Sequence, residues 1–107
     1  MSGAIASVYA VFADLGEARR IGRTIVEERL AACVNIIGPC ESLYHWQGAI
    51  EQAEEVAAIF KTRREGAPAL VARIAELHSY EVAAVTVWDV ADTLPAYAQW
   101  VLGSVGS

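Results

Sequence analysis

No stretch of this chain reaches the roughly 18 consecutive apolar residues that mark a membrane-spanning helix, so a membrane protein is not expected. Basic residues are few. Eight Lys and Arg stand against thirteen Asp and Glu, and the net charge of −5 with no basic run argues against a phosphate-backbone partner. Arg19-Arg20 and Arg63-Arg64 are isolated pairs and read as solvated surface. Cysteine is scarce as well. Cys33 and Cys40 form no Cys-x-x-Cys, and His45 and His78 are not at zinc-finger spacing, which argues against a closed four-ligand zinc site in one chain. Ala4 to Phe12 is apolar, but no basic residue precedes it and Asp14 and Glu17 follow directly. A secretory signal is therefore not expected, and a cytoplasmic location with free thiols is. A glycine-rich phosphate loop is also missing, since Gly16 and Gly22 fall inside a helical pattern.

What remains is an apolar, globular chain. At 107 residues it has room for one domain, residues 1–107, and no second core. A mean hydropathy of +0.34 leaves more apolar surface than a small monomer easily buries, which implies a closed oligomer.

The stretch from Ala32 to Thr62 organises the rest. Its first arm alternates Ser42, Tyr44 and Trp46 with Leu43 and His45, the two-residue period of a strand. Its second arm contains Val56-Ala57-Ala58-Ile59-Phe60, apolar at every position, as suits a strand covered on both faces. Gln47-Gly48 is the turn between them. Fifteen residues from Ala32 to Trp46 would span about 50 Å if straight, against a radius of gyration of about 13 Å for a compact chain of this length. The arm must bend or project, and Gly38-Pro39 is the expected bend because proline cannot donate to a ladder. A projecting arm tipped with Tyr44, His45 and Trp46 is expected to grip a neighbouring subunit.

Before that arm, Ile5 to Phe12 reads as a strand and Asp14 to about Leu30 as a helix opened by an Asp14…Glu17 capping box. After it, Thr62 to Gly66 reads as a turn, and Pro68 opens a helix that stops at His78-Ser79. Val82 to Val90 reads as a strand. Pro95 opens a last helix with a Tyr97, Trp100, Val101 face and a frayed end from Gly103. The order β-α-β-β-α-β-α predicts an α+β fold. Its first six elements make a ferredoxin-like split βαβ sandwich, here with a long β-hairpin and an extra C-terminal helix. Both main helices then lie on one face of the sheet, leaving the other for the third helix or a neighbour.

Few residues carry obvious chemistry. Cys33 reads either as a small buried hydrophobe or as a ligand or nucleophile. His78 ends a helix, which is reason enough for a histidine. With Ser79, Tyr80 and Glu81 it also places an imidazole, a phenol and a carboxylate at one junction, where His and Glu could bind copper or zinc. Lys61, at the end of the third strand, is either solvated or an anion partner near Cys33.

Two long motifs then carry a resemblance. Val26-Glu27-Glu28-Arg29-Leu30-Ala31-Ala32-Cys33-Val34-Asn35-Ile36 resembles the VEERLAACVNI signature of the CutA divalent-cation tolerance family. Tyr44-His45-Trp46-Gln47-Gly48-Ala49-Ile50-Glu51 is similar to its Y-x-W-x-G-x-I-E arm. Lys61-Thr62-Arg63, His78-Ser79-Tyr80-Glu81-Val82 and Pro95 to Val101 resemble its later motifs. The resemblance implies a cytoplasmic, non-enzymatic homotrimer linked to tolerance of divalent metal ions, copper first. It implies a cleft between subunits lined by Trp46, Lys61 and Tyr80, with Cys33, His78 and Glu81 as metal ligands. Tyr44, His45, Trp46 and Trp100 would form the oligomer interface. Neither nucleic acid nor membrane is an implied partner. Ser79 stands where the family has proline and Ala83-Ala84 where it has Pro-Glu, so the junction is expected to be looser and His78 free to point elsewhere. The alternative function is that of a PII-like signalling module binding a small anionic effector between subunits, an analogy of architecture only.

Overall fold

The computed structural model describes residues 3–106. In chain order the elements are β1 (Ile5–Phe12), α1 (Leu15–Glu27), β2 (Cys33–Trp46), β3 (Ala49–Arg63), a 3-10 turn (Arg64–Gly66), α2 (Ala67–Leu77), β4 (Val85–Asp89) and α3 (Pro95–Ser104). The four strands form one antiparallel sheet in the order β2-β3-β1-β4, the arrangement of the split βαβ plan.

Strand periodicity decides what each face does. Ala6, Val8, Ala10 and Phe12 of β1 and Val56, Ala58 and Phe60 of β3 pack against α1 through Ala18, Ile21 and Ile25, and against α2 through Leu70 and Ile74. This is the main core. On the opposite face α3 covers only one end, where Ala98 and Val101 bury Ile5. The remainder of that face stays open, with Tyr9 stacked on a half-exposed Trp88 at 5.1 Å.

β3 loses its partner β1 beyond the Phe12↔Val56 pair, so Cys40–Trp46 and Ala49–Glu55 continue as a bare two-stranded ribbon. Seven residues per strand carry it about 23 Å past the body, and the molecule measures 45 × 26 × 22 Å. Gln47 (φ 49°) and Gly48 (φ 81°) both sit at positive φ, the turn that matches the right-handed twist of a hairpin. The expected bend is a bulge between Ile36 and Gly38, with Gly38 at φ 111°, a conformation open only to glycine. Pro39 keeps its place in the register because β2 is an edge strand.

Four expected boundaries move. α1 ends at Glu27, not near Leu30, because Arg29 turns left-handed (φ 61°). β3 runs on through Arg63, where Ile5 still pairs with it, so Thr62 is buried in the sheet instead of opening a turn. β4 begins at Val85 rather than Val82: residues 79–82 line a groove, and of the segment before β4 the Ala84 carbonyl reaches β1, accepting from the Val11 N–H at 3.1 Å. The C-terminal end is not frayed among the described residues. α3 continues through Gly103 to Ser104, Val105 is buried, and the Gly106 N–H donates to the Arg29 carbonyl at 2.9 Å. Trp100 faces away from the helix's buried side and is half-exposed, whereas Ala98 and Val101 form that side.

Candidate functional site: a carboxylate and aromatic groove at the ribbon base

The bare ribbon and the α2–β4 junction enclose a groove of about 690 Å³, within the usual size of a small-molecule site. The ribbon contributes Tyr44, Trp46, Glu51 and Glu55, and the junction contributes Tyr80 and Glu81 over an apolar floor of Val11, Val82 and Ala84. Register explains the ribbon's share. A two-residue turn pairs Trp46 with Ala49, Tyr44 with Glu51 and Cys40 with Glu55, so aromatic and acidic side chains fall on one face. Leu43, His45 and Ile50 lie on the other face, where the ribbon has run past the helices. Leu43 is 64% and Ile50 62% exposed.

The junction is held by Glu17. Its N-cap partner Asp14 accepts from the Glu17 N–H at 2.8 Å, as the capping pattern predicts. The Glu17 carboxylate goes further. Oε1 accepts from the Ala13 N–H at 3.0 Å, and Oε2 accepts from the Ser79 N–H at 2.9 Å, sixty-two residues away. Burial works to raise the Glu17 pKa, but the hydrogen bonds from Ser79 and Ala13 outweigh it, and the carboxyl lies below its ordinary value.

His78 is buried behind this anchor. Its Nε2–H donates to the Val11 carbonyl at 2.7 Å, and its Nδ1 accepts from the Tyr80 N–H at 3.0 Å. That pattern requires the neutral imidazole with the proton on Nε2. The ring also stacks on Phe12 and leans on Tyr80. The expectation of a looser junction with His78 pointing elsewhere is therefore overturned: Ser79 supplies the N–H that proline lacks, and both nitrogens of His78 are engaged. Tyr80 donates its hydroxyl to Glu55 Oε2 at 2.8 Å. Burial first, and then the Glu55 carboxylate, push the Tyr80 phenol up to about 12.

Cys33 and Lys61 lie elsewhere. They pair across β2 and β3, and Lys61 pairs with Ser7 of β1, whereas the groove meets β1 at Val11. Four residues of strand separate the two places by about 13 Å. Cys33 Sγ contacts the Tyr97 hydroxyl at 3.6 Å. Burial, then Cys33, raise the Tyr97 phenol to about 12. Lys61 makes no ion pair among the described residues. Trp46, Tyr80 and Glu81 are thus together, while Cys33 and Lys61 are together at the far end of the open sheet face, and Trp100 is on α3.

Among the described residues no group of three His, Cys, Asp or Glu side chains is close enough to hold a metal ion. Within one chain, Cys33, His78 and Glu81 do not form a metal site. The sequence reading missed Glu51 and Glu55, although pairing outward from Gln47-Gly48 would have placed them beside Tyr44 and Cys40. No local signal could have revealed the second role of Glu17.

The model of the CutA1 divalent ion tolerance protein family matches residues 6–104. The chain is 40% identical over 95 residues to the divalent-cation tolerance protein CutA of Pyrococcus horikoshii, covering 89% of this chain and 92% of that protein. It is 38% identical over 99 residues to mouse Protein CutA, covering 92% of this chain but 56% of the mouse protein, so it spans about half the length of that relative. A solved structure described as the periplasmic divalent cation tolerance protein CutA from Archaeoglobus fulgidus superposes with a TM-score of 0.92 at 33% identity, over 95% of this chain and 99% of that one.

Proposed function

The chain belongs to the CutA1 divalent ion tolerance family, and from that premise we propose that it is a non-enzymatic, cytoplasmic homotrimer that takes divalent cations, copper first, at clefts between subunits. The names of the family and of the Pyrococcus horikoshii relative describe tolerance, not a reaction. One similar structure is described as periplasmic, so the compartment rests on the sequence reading. No helix among the described residues is long and apolar enough to cross a membrane.

The observation that carries the reading is the bare ribbon. A two-stranded ribbon is marginal by itself in water, and this one presents Tyr44 and Trp46 on one face and Leu43 and Ile50 on the other, all exposed. Neighbouring subunits would cover these faces and bring one chain's Cys33 and Lys61 toward another's Trp46, Tyr80 and Glu81. A thiolate and a carboxylate are then the ligands this chain offers. His78 joins them only by giving up Val11 or Tyr80. Calorimetric titration with copper on the protein and on Cys33→Ser, Glu81→Gln and His78→Ala tests this. Loss of affinity is expected in the first two, and unchanged affinity in both removes them from the site.

A second reading is favoured by Lys61, an amine with no carboxylate partner among the described residues. In a PII-like module it would hold a small anionic effector. Thermal stabilisation by a nucleotide or dicarboxylate but not by copper would select it.

A further inference from the structure

One face of β3 carries opposite charges at its two ends. Val56, Ala58 and Phe60 point to the helices, so alternation places Arg63, Lys61, Ile59, Ala57, Glu55 and Glu51 on the other side. Cations stand at the α3 end, apolar residues in the middle and carboxylates at the groove. Lys61 and Glu55 are six positions apart, about 20 Å along the strand, so within one chain the two cannot pair.

Each end lacks its partner. Lys61 is the only lysine in the sequence and is half-buried. Its cross-strand neighbours are Ser7 and Cys33, neither of them a carboxylate, and it makes no ion pair among the described residues. At the other end Glu55 is 8% exposed, and no Lys, Arg or His lines the groove with it. Its Oε2 accepts from the Tyr80 hydroxyl, and Oε1 has no partner among the described residues. An unpaired charge is costly to bury. One contact satisfies both groups if copies of the chain meet head to tail, with the cationic end of each at the groove of the next. The rings of Tyr44, Trp46 and Tyr80 wall that groove, and aromatic faces suit a lysine stem and its ammonium alike.

We propose that Lys61 of one subunit enters the groove of the next and pairs with Glu55 there, so that this ion pair fixes the register of the assembly. The inference rests on the homotrimer proposed above and adds the contact that orients it. It opposes the effector reading, since an amine held by Glu55 is not free for a small anion. It needs no metal.

The test is a double-mutant cycle on the full chain with Lys61→Met, Glu55→Gln and the two together. Glu55→Gln keeps an acceptor for the Tyr80 hydroxyl. Residues about 20 Å apart in one chain act independently, so coupling between these two reports a contact between chains. Light scattering over a dilution series gives the concentration at which the particle dissociates. Each single substitution strands one charge and should raise that concentration about tenfold or more. The double variant removes both charges and should dissociate at no higher concentration than either single one. Losses that simply add, or single variants that dissociate as the wild type does, overturn the pair and leave the trimer standing. A wild-type particle with the mass of one chain overturns the trimer and the pair together. Where dilution does not reach dissociation, acetylation of amines followed by mass spectrometry reads the same contact, because the chain has a single lysine. Lys61 should be protected in the wild type and react about tenfold faster or more in Glu55→Gln. Equal rates in both, with circular dichroism showing the variant folded, overturn the pair.

Discussion

The backbone N–H of Ser79 donates to Oε2 of Glu17 at 2.9 Å, tying the start of α1 to the end of α2 across the edge of the core. Glu17 is 3% exposed, and its other oxygen serves the Ala13 N–H. One carboxylate therefore satisfies two part-buried backbone donors that come from distant parts of the chain.

Replacing that carboxylate leaves both donors short. Glu17→Ala is expected to destabilise the protein by about 2–4 kcal/mol, measured by urea unfolding at neutral pH. Because the Glu17 pKa is lowered on folding, its contribution is fully present above the ordinary carboxyl value of 4.5 and is lost as pH falls through the lower folded value. The wild-type advantage over Glu17→Gln should hold from neutral pH down to that range and shrink below it. An advantage that grew on acidification would contradict the assignment.

Ser79→Pro restores the family's residue and removes an N–H. His78 precedes it at φ −71°, ψ 145°, a conformation compatible with a following proline, so no clash arises there. The lost hydrogen bond to a charged acceptor costs about 1.5–3 kcal/mol. The stiffer unfolded chain returns about 0.4–1 kcal/mol. A net loss of about 1–2 kcal/mol is expected in urea unfolding. Net stabilisation would show that the Glu17 contact is dispensable.

His78→Ala strips partners from the Val11 carbonyl and the Tyr80 N–H and opens space against Phe12. Destabilisation of about 2–4 kcal/mol is expected, visible in urea unfolding whether or not copper is present. A variant as stable as the parent that had lost only its copper affinity would make His78 a ligand instead.

Gly38→Ala tests the bulge. No atom lies within 4 Å of the added Cβ, so any penalty comes from the backbone at φ 111°. About 1–3 kcal/mol is expected, from thermal unfolding. Neutral behaviour would mean that the ribbon leaves the body without that bend.

These particulars also show what could be read beforehand and what could not. The hairpin was legible because Gln47-Gly48 is a local signal and the alternation on either side has a period of two. The helix faces around Ile21, Ile25, Leu70 and Ile74 were legible for the same reason, with a longer period. Val82 looked like strand because it is apolar, but that apolarity serves the groove floor rather than a ladder. The C-terminal small residues looked loose, yet Val105 is buried and Gly106 is tied to Arg29, a contact set by the left-handed turn after α1. The candidate site was half legible. Trp46, Tyr80 and Glu81 lie in motifs that a resemblance could carry. Glu55 needed the register, and Glu17 needed the tertiary fold.

The Tyr80 hydroxyl reports on the groove without any ligand. Burial is the larger cause of its rise to about 12 and Glu55 the next. Glu55→Gln should bring its ionisation down only part of the way, followed by ultraviolet difference titration against a Tyr80→Phe blank. A return to the ordinary phenol value would mean that burial contributes nothing there.

The central claim is that the ribbon is completed by other copies of the chain. Multi-angle light scattering at dilute concentration measures this directly. The account predicts a particle with three times the mass of the chain, and a folded particle with the mass of one chain would contradict it.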